Sequence, residues 1–197
     1  MADCTRYKRI LCFGDSNTYG YDARSFWGER FPAEQQWPYI LGKMLDAQTI
    51  NCGINGRTIP RQGRAAEAEL AALKRHLPWD LAIVMLGSND VLNMLYPSAA
   101  ALASSMKSFL TGLMRLEPDS DVLLISPPKI RLSPKMEKLS EELPECYSAA
   151  ADELGIYFAD ADGWGLSFAW DEVHLTPEGH RIFAEKTADF LRTNCKK

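Results

Sequence analysis

Short apolar runs alternate with longer amphipathic stretches along the chain. Five short segments, four of them mainly apolar and bounded by glycine, proline or polar residues, predict strands over 9–13, 48–52, 81–86, 122–125 and 156–159. The third run is apolar throughout, which is typical of a central parallel strand covered on both faces. Apolar residues at helical spacing, together with capping residues, predict helices over about 34–45, 62–77, 99–116, 141–154 and 176–193.

The segments between these elements are predicted to be loops. Residues 21–31 combine aromatic and charged side chains without a period, and residues 129–140 are mostly polar and contain Pro134, as in a mobile loop or lid. Strand and helix alternate five times, which predicts a five-stranded parallel sheet with helices on both faces and right-handed crossovers. The length of 197 residues and the lack of internal repeats predict a single domain over residues 1–197.

Composition narrows the classes of function. The net charge of −4 and the absence of a basic run argue against nucleic acid or an anionic membrane as a partner. The five cysteines are scattered and never spaced as C-x-x-C, which argues against a disulfide framework and a zinc site. No targeting segment and no apolar run of membrane-spanning length is visible. We therefore expect a cytoplasmic protein that needs no metal and no cofactor.

Polar or glycine-containing segments follow four of the five predicted strands. Ser16 follows the first strand, Gly53 the second and Asn89 the third, while Asp171 and His174 lie beyond the fifth. The carboxyl ends of parallel strands meet at one edge of the sheet, so these residues can converge there. Ester cleavage requires such a set, because a serine hydroxyl needs a base to take its proton and a carboxylate to orient that base.

The chain contains three histidines, and their positions in the sequence indicate different roles. His76 lies at the end of a predicted helix among basic residues, where it is expected to be solvated or to cap the helix. His180 falls in the first turns of the last helix, where it is expected to pack or cap. His174 lies in a loop three residues after Asp171, which makes it the candidate general base.

Four sequence blocks carry a resemblance to a known family. Gly14-Asp15-Ser16-Asn17, the Gly53 segment, Gly87-Ser88-Asn89-Asp90 and Asp171-x-x-His174 resemble, in this order, the four blocks of the SGNH (GDSL-like) hydrolases. The chain is most similar to the bacterial arylesterase and acyltransferase group. The resemblance implies a flavodoxin-like three-layer α/β/α sandwich. Members of this family often form dimers or larger rings, so the resemblance also allows a homo-oligomer.

The resemblance also implies the chemical roles. Ser16 would be the nucleophile, His174 the general base, and Asp171 the residue that orients it. The backbone N–H groups of Ser16 and Gly53 and the side-chain amide of Asn89 would form the oxyanion hole. Asn17 stands where many relatives carry leucine, and none of these roles falls on it.

The expected substrate is a small ester. Aromatic residues crowd the expected rim of the site, namely Tyr19, Tyr21, Phe26, Trp27, Trp37, Trp164 and Trp170. Trp37 is expected in the core, whereas Trp27 and Trp170, together with Asp15, are candidates for substrate binding. Asp15 and Asp90 are expected mainly to hold their turns by hydrogen bonding. Polar neighbours such as Arg57 favour a small, partly polar substrate over a long lipid.

We therefore predict a serine esterase that cleaves short-chain, acetyl-like esters through an acyl-enzyme. A carbohydrate O-acetylesterase and an acyltransferase are alternatives, and a lysophospholipase, a thioesterase or a non-catalytic ligand-binding sandwich is less favoured. A phosphoaspartyl enzyme would need a second aspartate where Asn17 stands. An α/β-hydrolase would need G-x-S-x-G, and the segment 14–18 lacks the second glycine.

Overall fold

The five predicted strands form one parallel sheet. The computed structural model describes residues 6–25 and 27–194 of the chain. The strand order is β2-β1-β3-β4-β5, and every neighbouring pair is parallel. The strands are β1 Arg9–Gly14, β2 Gln48–Gly53, β3 Leu81–Met85, β4 Asp121–Ser126 and β5 Tyr157–Asp160. The predicted α/β class with a five-stranded parallel sheet is confirmed.

Seven α-helices connect or follow these strands within the described residues. They are α1 Ser16–Tyr19, α2 Trp37–Leu45, α3 Arg64–Leu73, α4 Ser88–Leu92, α5 Ala99–Met114, α6 Pro134–Leu154 and α7 Pro177–Asn194. Short 3₁₀ turns at Ala33–Gln35 and Lys74–His76 take up the start and the end of two predicted helices. None of the helices in this part of the chain combines the length and the apolar character that crossing a membrane requires.

The predicted loop over 129–140 is wrong in its second half, because α6 begins at Pro134. The side chain of Ser133 caps the helix by accepting the N–H of Met136 at 3.3 Å. Proline is well suited to the first helical position, where its missing N–H costs nothing. The lysines of this stretch lie on the outer side of the helix, whereas large buried side chains recur every four residues, at Leu139, Leu143 and Tyr147.

Side chains of the strands alternate between two cores, one on each face of the sheet. Leu11 and Phe13 of β1 point to the face that α5 and α6 cover. Ile10 and Cys12 point to the opposite face, which α2 and α7 cover. The protein therefore has helix, sheet and helix layers, which confirms the predicted three-layer sandwich.

The register of the sheet places the ends of three strands side by side. Gly14, the last residue of β1, pairs with Gly53 of β2 on one side and with Met85 of β3 on the other. The short helices α1 and α4 start immediately beyond β1 and β3. The candidate residues at these strand ends consequently share one edge of the sheet.

Candidate active site

Ser16 lies in the first turn of α1, two residues beyond the end of β1. The connection is tight, since a Cβ on Gly14 would lie 2.1 Å from Oγ1 of Thr18. Only glycine permits such a close approach. Ser16 is 7% exposed, so its hydroxyl is held in a defined position at the edge of the sheet.

The structure brings His174 and Asp171 to Ser16. Nε2 of His174 lies 3.0 Å from Oγ of Ser16, and Nδ1 lies 2.6 Å from Oδ2 of Asp171. Oδ1 of Asp171 accepts the backbone N–H groups of Val173 and His174, each at 3.0 Å. One ring nitrogen therefore faces the hydroxyl and the other faces the carboxylate, an arrangement in which an imidazole can accept a serine proton.

The carboxyl group of Asp171 is ionised at neutral pH. Burial raises the pKa of Asp171, but hydrogen bonds from the ring and backbone of His174 and from the backbone of Val173 outweigh it, and the pKa lies below its usual range. The carboxylate can therefore fix the tautomer of His174 and stabilise its protonated form.

Two of the three predicted oxyanion donors are available at this edge. Nδ2 of Asn89, in the first turn of α4, donates to the carbonyl oxygen of Arg57 at 3.0 Å. An amide nitrogen carries two hydrogens, so one remains for a substrate. The backbone N–H of Ser16 has no acceptor among residues 6–25 and 27–194.

Gly53 lies where the sequence places it, but its N–H is already engaged. This N–H donates to Oδ1 of Asn51 at 2.9 Å. A Cβ on Gly53 would lie 2.1 Å from the backbone nitrogen of Tyr19. Glycine is therefore needed here for the packing of β2 against α1, and its N–H would have to leave Oδ1 of Asn51 to reach a substrate oxygen.

The turn after β2 carries N–H groups that are not engaged. The N–H of Arg57 donates to the carbonyl of Ile54 at 3.2 Å, and Gly56 has a φ of 72°, as the third position of a type II turn requires. The N–H groups of Asn55 and Gly56 have no acceptor in the part of the chain that is described. The Asn-Gly pair marks the turn in the sequence, but which N–H groups are free follows only from the structure.

Asp15 and Asp90 are buried beneath the turns that carry Ser16 and Asn89. Oδ1 of Asp15 accepts the N–H of Asn17 at 2.9 Å, and Asp90 accepts the N–H of Ile59 at 3.1 Å. Burial raises the pKa of both carboxyl groups to about 6. Asp15 is 1% exposed, so the structure does not bring this candidate to a substrate.

The described residues contain no group of three or more histidine, cysteine, aspartate or glutamate side chains that could hold a metal ion.

Two of the aromatic candidates are exposed near His174. Trp170 lies four residues before the histidine, and its Nε1 donates to the carbonyl of Ala23 at 3.0 Å. Trp27 lies in the loop that contains Ala23, and both indoles are largely solvent-exposed. Tyr21 lies at the start of this loop, and the centroid of its ring is 4.6 Å from the centroid of the His174 ring. These side chains can form the rim of a substrate site.

Two of the aromatic candidates, Trp37 and Trp164, pack in the core and not at this rim. Trp37 is fully buried, and both Trp37 and Trp164 pack against Phe183 of α7. Phe26 lies outside the described residues.

Arg57 is a buried structural residue, although the sequence suggested a polar neighbour of the substrate. Nη1 donates to the carbonyl of Gly14 at 2.8 Å and to the carbonyl of Cys52. Nη2 pairs with Glu69 at 3.2 Å, and the guanidinium lies 4.1 Å from the ring centroid of Phe13. Arg57 therefore ties together the ends of β1 and β2 behind the site.

The chain is similar to known proteins over most of its length. The model of a family described as GDSL-like lipase/acylhydrolase matches residues 12–182. A carbohydrate acetylesterase family member from Sinorhizobium meliloti is 29% identical, with a TM-score of 0.81 over 94% of this chain and 98% of that chain. The native aryl esterase of M. smegmatis is also 29% identical, with a TM-score of 0.83 over 94% of this chain and 99% of that chain. No curated protein matches the chain.

Proposed function

The chain belongs to the GDSL-like lipase/acylhydrolase family, the SGNH hydrolases, and is a carboxylic ester hydrolase; we propose that it cleaves short-chain acyl esters through an acyl-enzyme on Ser16. The observation that carries this proposal is the chain of contacts from Ser16 Oγ to His174 at 3.0 Å and from His174 to Asp171 at 2.6 Å. A serine hydroxyl becomes nucleophilic when such a base takes its proton.

In the first half of the reaction, Oγ of Ser16 attacks the carbonyl carbon of the ester. Its proton moves to Nε2 of His174, and the Asp171 carboxylate stabilises the resulting imidazolium through Nδ1. The tetrahedral intermediate collapses when His174 gives this proton to the leaving alcohol. The acyl group then remains bound to Ser16 as an ester.

The negative oxygen of the intermediate needs hydrogen-bond donors. The N–H of Ser16 and the second amide hydrogen of Asn89 fill two positions. We assign the third position to the turn after β2, because the N–H of Gly53 is engaged by Asn51. The side chain of Asn89 rests on the carbonyl of Arg57 in this turn, which supports the assignment.

In the second half, water replaces the alcohol. His174 takes a proton from the water as the water oxygen attacks the acyl carbon. A second tetrahedral intermediate forms in the same oxyanion hole. As the bond between the acyl carbon and Oγ breaks, His174 returns its proton to Ser16, which releases the carboxylic acid and the free serine. Transfer of the acyl group to another alcohol would use the same steps, with that alcohol in place of water.

The side chains at the rim of the site favour a substrate with a small acyl group. The ring of Tyr21 lies against the imidazole of His174 and narrows the space beside the serine. Trp27 and Trp170 offer exposed apolar surface for an acyl or aryl group. Two structurally similar proteins are named as an aryl esterase and a carbohydrate acetylesterase family member, which agrees with an aryl or acetyl ester as substrate.

A second candidate function is deacetylation of a carbohydrate. A groove of about 940 Å³ adjoins the turn after β2, and the polar side chains of Arg61, Glu69 and Arg75 are among those that line it. Such side chains can bind the hydroxyl groups of a sugar. The carbohydrate acetylesterase family member among the similar structures points the same way.

The proposal is tested with p-nitrophenyl acetate, butyrate and octanoate, alongside acetylated monosaccharides. We expect the acetyl esters to react fastest and Ser16→Ala to abolish turnover and covalent labelling by a fluorophosphonate. Ser120→Ala is the matched control. Ser120 lies at the opposite edge of the sheet, next to the start of β4, and donates only to the carbonyl of Glu117 at 2.9 Å. Turnover by Ser16→Ala at a rate near that of the wild type would contradict the proposal.

A further inference from the structure

Asn17 follows Ser16 in α1, and its side chain reaches across to the segment that carries His174. Nδ2 of Asn17 donates to the carbonyl of Val173 at 3.0 Å, and Oδ1 accepts the N–H of Leu175 at 2.9 Å. One carboxamide thus binds the residues immediately before and after His174. Asn17 is 4% exposed; its hydrogen bond with Leu175 is buried, and that with Val173 is partly buried.

We propose that Asn17 is a positioning residue that holds the His174 segment at the distance from which the imidazole can take the proton of Ser16. This inference rests on the proposed role of Ser16 and His174. Asn17 itself is not expected to touch the substrate.

The other hydrogen bonds of this segment are made within its own part of the chain. Asp171 accepts the N–H groups of Val173 and His174, and the N–H of Ala169 donates to the carbonyl of His174 at 2.8 Å. These contacts shape the loop, but they do not connect it to α1. Among the described residues, the hydrogen bonds between α1 and residues 171–175 are those of Asn17 and the contact between Ser16 and His174.

The chemistry of the amide explains why asparagine suits this position. A carboxamide is donor and acceptor at once, so it can pair with a carbonyl and an N–H on opposite sides of one residue. Leucine has a similar volume but neither function. With leucine, the carbonyl of Val173 and the N–H of Leu175 would lose their partner, and an unpaired polar group in a buried place is costly. The segment would then relax away from α1.

The experiment compares Asn17→Leu and Asn17→Ala with the wild type. Both variants remove the two hydrogen bonds, and alanine does so without adding apolar bulk. We expect kcat with p-nitrophenyl acetate and the rate of fluorophosphonate labelling to fall about 10- to 100-fold, because small displacements of a catalytic group have effects of this size. KM should change by less than about threefold, since the substrate is bound by other groups.

Thr187→Val is the control for a general loss of stability. The hydroxyl of Thr187 is fully buried inside α7 and donates to the carbonyl of Phe183 at 2.8 Å, with no connection to the site. This variant is expected to lower the melting temperature and to leave kcat and the labelling rate unchanged. If the Asn17 variants behave in the same way, Asn17 is only a stabilising residue and the inference is overturned.

A second arm asks whether Asn17 acts through His174. In a His174→Ala background, Asn17→Leu should lower the residual rate by less than about twofold, because the group that it positions is already absent. An equal loss in both backgrounds overturns the inference and leaves the proposed function intact. A wild-type protein that resists fluorophosphonate labelling, or a Ser16→Ala variant that remains active, overturns the proposed function and the inference with it.

Discussion

Replacing His180 with asparagine is expected to make the stability of the protein less sensitive to mild acid. His180 is fully buried in the first turns of α7. Its Nδ1 accepts the N–H of Trp37 at 3.4 Å, and its ring packs edge-on against Phe31 at 5.6 Å between centroids. Burial lowers the pKa of His180 to about 4, so the folded protein keeps this ring neutral throughout the mildly acidic range.

The size of the effect follows from the two pKa values. The unfolded chain binds a proton at His180 with the ordinary pKa of 6.5, whereas the folded protein does so only near pH 4. The unfolded state therefore gains protons first as the pH falls, and stability is lost between pH 6.5 and pH 4. Relative to pH 7.5, proton linkage gives a loss of about 2 kcal/mol at pH 5 and about 3 kcal/mol at pH 4.

Asp15 and Asp90 titrate in the same range with the opposite sign. Burial raises the pKa of each to about 6, so their ionisation destabilises the folded protein as the pH rises. These contributions are present in the wild type and in the variant alike. The quantity to compare is therefore the difference in unfolding free energy between the two proteins at each pH.

Urea unfolding at pH 7.5, 6 and 5, followed by tryptophan fluorescence, measures this difference. Asparagine keeps an acceptor for the N–H of Trp37 but does not titrate. His180→Asn should be the less stable protein at pH 7.5, where packing is lost, and the gap should shrink by about 2 kcal/mol at pH 5. Thr187→Val changes a residue of the same helix that does not titrate, so its difference in unfolding free energy from the wild type should be the same at each pH. If the difference for His180→Asn were also the same at each pH, the reasoning would be refuted.

Three further predictions concern the site. Asn89→Ala should lower kcat with p-nitrophenyl acetate about 100- to 1000-fold while KM changes little, and a normal kcat would remove Asn89 from the oxyanion hole. Gly53→Ala would place a Cβ 2.1 Å from the backbone nitrogen of Tyr19. Urea unfolding should therefore show a loss of at least about 1–3 kcal/mol, and unchanged stability would contradict the packing argument. Trp170→Phe removes the hydrogen bond to Ala23 but keeps an aromatic ring. It should raise KM for aryl esters about 2- to 10-fold at constant kcat, and an unchanged KM would argue against its place at the rim.

The central strands β1, β3 and β4 could be predicted because they are buried on both faces and therefore appear in the sequence as continuous apolar runs. Helices were harder to predict where they are short or where charged residues obscure the apolar periodicity. The helix α1 has four residues and α4 has five, too few for a period to be visible, and α1 depends on the side chain of Asp15 as a cap. The start of α6 is hidden by charged residues on its outer side, although Ser133 and Pro134 mark it.

The candidate site could be located because few residue types can do its chemistry and because parallel strands end at one edge. Whether a given group is free for a substrate is a different matter, since it depends on packing. The N–H of Gly53 is engaged by the rotamer of Asn51, and the long side chain of Arg57 turns inward beneath Gly14. Neither arrangement leaves a signal in the spacing of the residues.

Ser16 and His174 are 158 positions apart in the chain. A ribosome makes the serine early and the histidine late, so a nascent chain carries an inert hydroxyl through most of its synthesis. The same holds during refolding: under the proposed mechanism, hydrolysis begins only after the C-terminal segment has docked beside α1. The recovery of esterase activity after dilution from urea would then time this docking, whereas tryptophan fluorescence would report the packing of the core around Trp37 and Trp79.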